Sequence, residues 1–158
     1  MYAVKALMMT SLLALSSIAA ADVEATFRLD PVSANFTASG ATTLSKGIVT
    51  VNCTANFAGA TDAAGAGSVT GATFTGGSLC GGLTGAGFPW TITPSSLTAV
   101  TVQNVTVNTS LGACGPSNLA ATYDNTNGAL TFSNAALSGG CTVNGTLSTA
   151  PKITIVQQ

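Results

Sequence analysis

The chain has 158 residues, of which four are Lys or Arg, five are Asp or Glu and none is His, for a formal net charge of −1. Charged residues make up 6%, where an ordinary soluble domain carries roughly 25%. Without histidine the commonest general base and metal ligand are gone, near-zero charge offers no footprint for nucleic acid, and the strong charge that keeps chains disordered is missing.

Residues 1–21 read as a secretory leader. Lys5 sits in a short basic start, the apolar run Ala6–Leu15 follows, and small residues end in Ala19-Ala20-Ala21, an A-x-A cleavage pattern before Asp22. The run is short for a membrane span of about 20 residues, and no later run is long or apolar enough to replace it. Cleavage is therefore expected between Ala21 and Asp22. The product is expected to be exported, extracellular or at the cell surface rather than periplasmic, with no integral membrane segment left. Residues 22–45 are expected to form an N-terminal tail or edge strand, with Asp22, Glu24, Arg28 and Asp30 as a solvated cluster. Residues 46–158 are expected to form one disulfide-stapled β domain.

Within that domain alternation dominates and helical periodicity is nearly absent. Gly47–Cys53 puts Val49, Val51 and Cys53 on one face of a strand. Ala58–Gly87 is rich in Gly and Ala but punctuated by Val69, Phe74 and Cys80, which predicts strands joined by Gly-rich turns. Trp90-Thr91-Ile92 continues the pattern. Val100-Thr101-Val102 and Val105-Thr106-Val107 are offset across Gln103-Asn104, which predicts a bulge there. Leu130-Thr131-Phe132 and Lys152–Val156 complete the strand candidates. Short β-rich segments at regular spacing predict an all-β fold, an antiparallel β-sandwich or barrel-like domain.

An exported chain with an even cysteine count predicts disulfides. Cys53 to Cys80 and Cys114 to Cys141 are equal intervals, and each holds a Gly-x-x-Thr at the same offset, Gly67–Thr70 and Gly128–Thr131. These mark pseudo-repeats at about 53–80 and 114–141. Asn127-Gly128 is a strong hairpin signal. Taken as a two-residue turn, it sets Cys114 directly opposite Cys141, and the same reasoning centres the first copy on Ala66-Gly67. Two disulfide-linked hairpin units follow, Cys53–Cys80 and Cys114–Cys141, unless Gly139-Gly140 bulges and shifts the register.

The residues give catalysis little to work with. There is no G-x-S-x-G and no His to activate a serine. A Ser-x-x-Lys pairing fails because Thr43 and Thr149 stand before Lys46 and Lys152. Asp62 and Asp124 hold matching places in the two copies and read as turn formers. Asp124–Gly128 resembles a calcium loop only faintly, since no acidic residue closes it, and close Cys-x-x-Cys pairs for zinc are absent. No cofactor or metal is expected. The sequons at Asn35, Asn52, Asn104, Asn108 and Asn144 follow from composition. Trp90, between Pro89 and Pro94, reads as a core plug or a strand edge rather than a sugar platform.

Several segments taken together resemble a known family: Leu79-Cys80, Phe88-Pro89-Trp90, Cys114-Gly115-Pro116-Ser117, Leu137-Ser138-Gly139 and Cys141-Thr142-Val143-Asn144. Their order and spacing are similar to those of the alkane-oxidation activator (PraB-like) family of small secreted bacterial proteins, from about Ile48 to the C-terminus. The resemblance implies a non-catalytic role linked to growth on alkanes and to surface or biofilm behaviour, with the four cysteines as disulfide partners and no catalytic residues to carry over. The expected function is therefore a secreted or cell-surface accessory protein, not an enzyme, acting at hydrophobic interfaces or on cell-surface and matrix components. The alternative is a self-assembling extracellular fibre subunit, a homo-oligomer joined by donation of a terminal segment, either Asp22–Asn35 or Lys152–Gln158. A carrier with an apolar barrel cavity is a further reading.

Overall fold

Alternating Val and Thr favour extended backbone, because β-branched side chains pack well on a pleated surface. The computed structural model describes residues 26–158 and is built from strands. They are β1 (Phe27–Asp30), β2 (Asn35–Lys46), β3 (Val49–Thr61), β4 (Gly67–Gly76), β5 (Thr84–Ala86), β6 (Trp90–Ser96), β7 (Ala99–Thr109), β8 (Gly112–Asp124), β9 (Ala129–Leu137), β10 (Cys141–Ala150) and β11 (Thr154–Gln157), with a 3₁₀ turn at Cys80–Gly82. The expected leader and its expected cleavage point at Ala21–Asp22, together with Glu24, lie outside the described residues.

The all-β expectation resolves to a barrel. A nine-stranded antiparallel sheet runs β5-β7-β6-β4-β3-β2-β10-β9-β8, and a further β7–β8 pairing joins its ends. Closure removes most of the exposed edges that an open sheet would present, leaving only β5 and the part of β4 beyond Val69 without a second partner. At the seam, β4 pairs with β6 over Gly67–Val69, while β5 pairs with Thr106–Asn108 of β7. A separate two-stranded ribbon, β1 with β11, pairs the two ends of the described chain from Phe27↔Gln157 to Asp30↔Thr154. Tyr123 Oη donates a buried hydrogen bond of 2.7 Å to Ile153 O and so ties the ribbon's approach to the barrel wall.

The interior is filled by side chains, as expected of a barrel of about eight strands. Trp90 is fully buried, stacks on Phe88 at 4.7 Å, meets Phe57 edge-on at 5.6 Å, and donates Nε1–H to Ala86 O at 2.8 Å. It is a core plug with no face left for a sugar. Only small voids remain, about 40 Å³ beside Trp90, Val51 and Leu83 and about 30 Å³ beside Phe36, Tyr123 and Ile153. A water needs roughly 10–15 Å³ of such space, so each void has room for two or three waters and not for an alkyl chain. The internal-carrier reading therefore has no room in this structure.

Three expectations need correcting. The boundary at residues 45 and 46 does not divide a tail from the domain, because β2 lies inside the sheet between β3 and β10. Its core face is Phe36, Ala38 and Leu44. At Gly40 a Cβ would stand 1.9 Å from Thr146 O, so only glycine admits the neighbouring strand. Second, Asn127-Gly128 is not a two-residue turn. Asp124 faces Ala129, and the Asp124 carboxylate accepts from the backbone N–H of Thr126 (2.8 Å) and from Asn127 Nδ2 (2.6 Å), widening the loop to Asn125–Gly128. Third, Ile48 belongs to the β2–β3 turn and not to a strand. The bulge at Gln103-Asn104 is present: the β7–β8 register shifts between Val102 and Val105, with Asn104 at φ 61°.

Candidate functional site

The disulfides join Cys53 to Cys80 and Cys114 to Cys141. Neither pair faces across its ladder, as the two-residue hairpin would require. Cys53 stands opposite Gly76, the last residue of β4, and the chain curls through Gly77–Leu79 to return Cys80 over it. Cys114 lies on β8, while Cys141 opens β10 opposite Leu137, the last residue of β9. In both units the second cysteine follows the end of the return strand at the same offset, so the pairs still match. Asp62 and Asp124 close the far turns of these units. Asp62 Oδ1 accepts from the N–H groups of Ala64 and Ala66 at 2.9 and 2.8 Å. Hydrogen bonds from the Asn127 side chain and the Thr126 N–H hold the Asp124 carboxyl below its ordinary range.

Antiparallel strands deliver alternate turns to opposite ends of the barrel. One end, the cysteine end, holds both disulfides and the connections β2–β3, β4–β5, β7–β8 and β9–β10. The other holds the β3–β4, β6–β7 and β8–β9 turns and the β1–β11 ribbon. The charges are divided unequally. Arg28, Asp30, Asp62, Asp124 and Lys152 all lie at the ribbon end, where Arg28 and Asp30 pair at 3.9 Å. Among the described residues the cysteine end carries one charged side chain, Lys46. Its ammonium donates to Gly139 O and, at 3.4 Å, to Ala113 O, with Cys141 Sγ at 3.7 Å.

Exposed apolar side chains divide the opposite way. Ile48 is 103% exposed at the β2–β3 turn, and Leu79 and Leu111 are each 53% exposed at the β4–β5 and β7–β8 connections. The ribbon end exposes one large aliphatic, Leu97 at 44%. Between the tips at the cysteine end lies an apolar groove of about 230 Å³, lined by Leu44, Val51, Leu79, Leu83 and Leu111 and bordered by Lys46. The sequence reading missed these tips. A signal was present, since Gly47-Ile48, Ser78-Leu79 and Ser110-Leu111-Gly112 put an aliphatic residue inside turn chemistry that normally carries polar ones.

Among the described residues no group of three or more His, Cys, Asp or Glu could hold a metal ion, and no helix is long and apolar enough to cross a membrane. A family model described as alkane oxidation protein activator PraA/PraB-like matches residues 1–157. The match takes in the segment before Ile48, which the resemblance read from the sequence left out. No curated protein and no solved structure gives a significant match.

Proposed function

From the premise that this chain belongs to the PraA/PraB-like alkane-oxidation activator family, an activator-type and non-enzymatic accessory group, we propose that it acts at the boundary between water and an apolar phase, lying on that boundary through its cysteine end. The single observation that carries this reading is the axial division of the barrel. Ile48, Leu79 and Leu111 project at one end, and every charged side chain among the described residues except Lys46 lies at the other. A molecule divided this way gains free energy by setting one end in oil and the other in water. The disulfides at the cysteine end hold its turns in place while their apolar tips are solvated. Export to the cell surface or medium, supported by the leader pattern of residues 1–21, brings the protein to such boundaries.

The test is the purified protein lacking residues 1–21 at a hexadecane–water boundary. A fall in interfacial tension that saturates with protein concentration is expected, together with greater adherence of cells to the hydrocarbon. Tension and adherence equal to those of a charged control protein would remove the mechanism. Fractionation of cells grown with and without alkane would test the address.

The fibre alternative rests on a different feature. No third strand flanks the ribbon, whose outer edges are held in part by Leu29 N–H donating to Gly65 O and by Ile155 exchanging two hydrogen bonds with the Asn125 side chain, and a ribbon built from both ends of the described chain can be exchanged between copies. In this structure both terminal segments are engaged with each other. Assembly would therefore replace the β1–β11 pairing within one chain by the same pairing between chains. Sedimentation over a concentration series and negative-stain microscopy test it.

A further inference from the structure

The groove at the cysteine end combines two features that seldom meet on so neutral a chain. Its walls are mostly aliphatic: Leu44 and Leu83 are buried, Val51 is half-buried, and Leu79 and Leu111 form exposed lips, while Thr109 and Ser110 add hydroxyls to the lining. Its border carries Lys46, the one charged side chain at this end among the described residues. Lys46 has no carboxylate partner there, the one ion pair found among the described residues being Arg28–Asp30 at the opposite end. Backbone carbonyls of Gly139 and Ala113 fix where its ammonium sits, and its third neighbour, Cys141 Sγ at 3.7 Å, is a weak acceptor. The Ala113 and Cys141 contacts are long, so an anionic oxygen from outside can take the place of either, beside a groove that is mostly apolar.

We propose that this groove takes the alkyl tail of a straight-chain carboxylate, with the headgroup against the Lys46 ammonium. The inference deepens the interfacial reading and rests on the same apolar end, naming the amphiphile it accepts. Charge complementarity selects an anionic head over an alcohol or an amine. Size limits the tail, because the groove, of about 230 Å³, ends against the buried Leu44 and Leu83. The interior voids, at about 40 and 30 Å³, offer the tail no deeper path.

The experiment is a methyl NMR titration of the protein with sodium carboxylates of four to fourteen carbons, followed at Leu44, Val51 and Leu83 and kept below the micelle concentration. Binding is expected to tighten about fourfold per added methylene and to level off within the series, once the tail outgrows the groove. Lys46→Met, which keeps the stem and removes the charge, is expected to weaken octanoate about three- to fivefold and to leave 1-octanol unchanged. Lys46→Arg is expected to restore octanoate, which separates loss of charge from loss of the turn contacts. Absence of saturable shifts at these methyls, a chain-length series that climbs without a break, or equal loss of octanoate and octanol in Lys46→Met overturns the proposal. The two readings fail separately. Ile48 does not line the groove, so Ile48→Ser is expected to weaken adsorption to hexadecane while octanoate still binds. Adsorption that persists without octanoate binding removes the groove and leaves the interfacial reading in place.

Discussion

Replacing Ile48, Leu79 and Leu111 together by Ser tests the axial division directly. Burying a whole Ile or Leu side chain contributes about 1.5–3 kcal/mol. Ile48, at 103% exposure, brings its full share to an oil surface, about 2 kcal/mol. Leu79 and Leu111, each 53% exposed, bring about half as much, ~1 kcal/mol apiece. The triple variant is therefore expected to lose about 4 kcal/mol of adsorption free energy, close to a thousandfold in the adsorption constant. Pendant-drop tensiometry over a protein concentration series reads this as the shift in half-saturating concentration at hexadecane. Folding should be unaffected within about 0.5 kcal/mol per site, because exposed turn positions carry little of the core. Leu97→Ser, at the charged end, is the control and should shift the curve little. A triple variant that adsorbs within threefold of the parent, or a Leu97→Ser variant that loses as much, refutes the reasoning.

Tyr123→Phe leaves the buried Ile153 carbonyl without its 2.7 Å donor and is expected to cost about 1–3 kcal/mol in urea denaturation, with faster amide exchange in β11. Both disulfides span 27 residues, so Cys53→Ala/Cys80→Ala and Cys114→Ala/Cys141→Ala are each expected to lose about 3–4 kcal/mol on the chain-entropy account. A gap well beyond ~1 kcal/mol between the two double variants would show that packing, rather than loop closure, sets their value. The pH limits have opposite signs. Hydrogen bonds from Asn127 and Thr126 depress Asp124 below the ordinary 3.8, so its contribution is complete above that value and lost as pH falls through the folded one. Asp124→Asn, which can still accept the turn's N–H groups, should flatten the acid limb of a plot of urea midpoint against pH. Burial, helped by the Asp124 charge and opposed by the Thr149 hydroxyl, raises Tyr123 above 10.0, so stability is complete below that value and lost as pH climbs toward the folded one. Tyr123→Phe should remove that alkaline loss.

What the chain reveals in one dimension depends on how local the cause is. β3 and β7 are legible because Val at alternate positions is a local fact, and the β7 bulge is legible because Gln103-Asn104 breaks that alternation in place. β2 is not legible. Its glycine at position 40 answers to Thr146 O on β10, more than a hundred residues away in sequence, and Ala38 and Gly40 give the core face little hydrophobic signal. The cysteine pairs could be chosen from equal spacing, yet the hairpin geometry used to choose them was wrong. The Asp124 carboxylate lengthens one turn and the curl through Gly77–Leu79 extends the other unit, while the common offset of Cys80 and Cys141 preserves the pairing. The apolar tips were hidden for a different reason. Ile48, Leu79 and Leu111 belong to three connections, and the closing β7–β8 pairing brings those connections to one rim.

Barrel closure also decides how the two functional readings relate. The closing β7–β8 pairing leaves the body only short edges at the seam, on the three-residue β5 and on β4 beyond Val69, which offer little for strand addition. Exchange of the β1–β11 ribbon is the larger chain-to-chain pairing this fold allows. That ribbon lies at the charged end, opposite Ile48, Leu79 and Leu111. A chain adsorbed by its cysteine end therefore holds the ribbon toward water, and adsorption and assembly draw on separate surfaces. The triple Ser variant should lose adsorption and keep whatever assembly the parent shows. If assembly is lost with the tips, association runs through the apolar rim and not through exchange of β1 and β11. Sedimentation of the variant beside the parent separates these outcomes without an interface present.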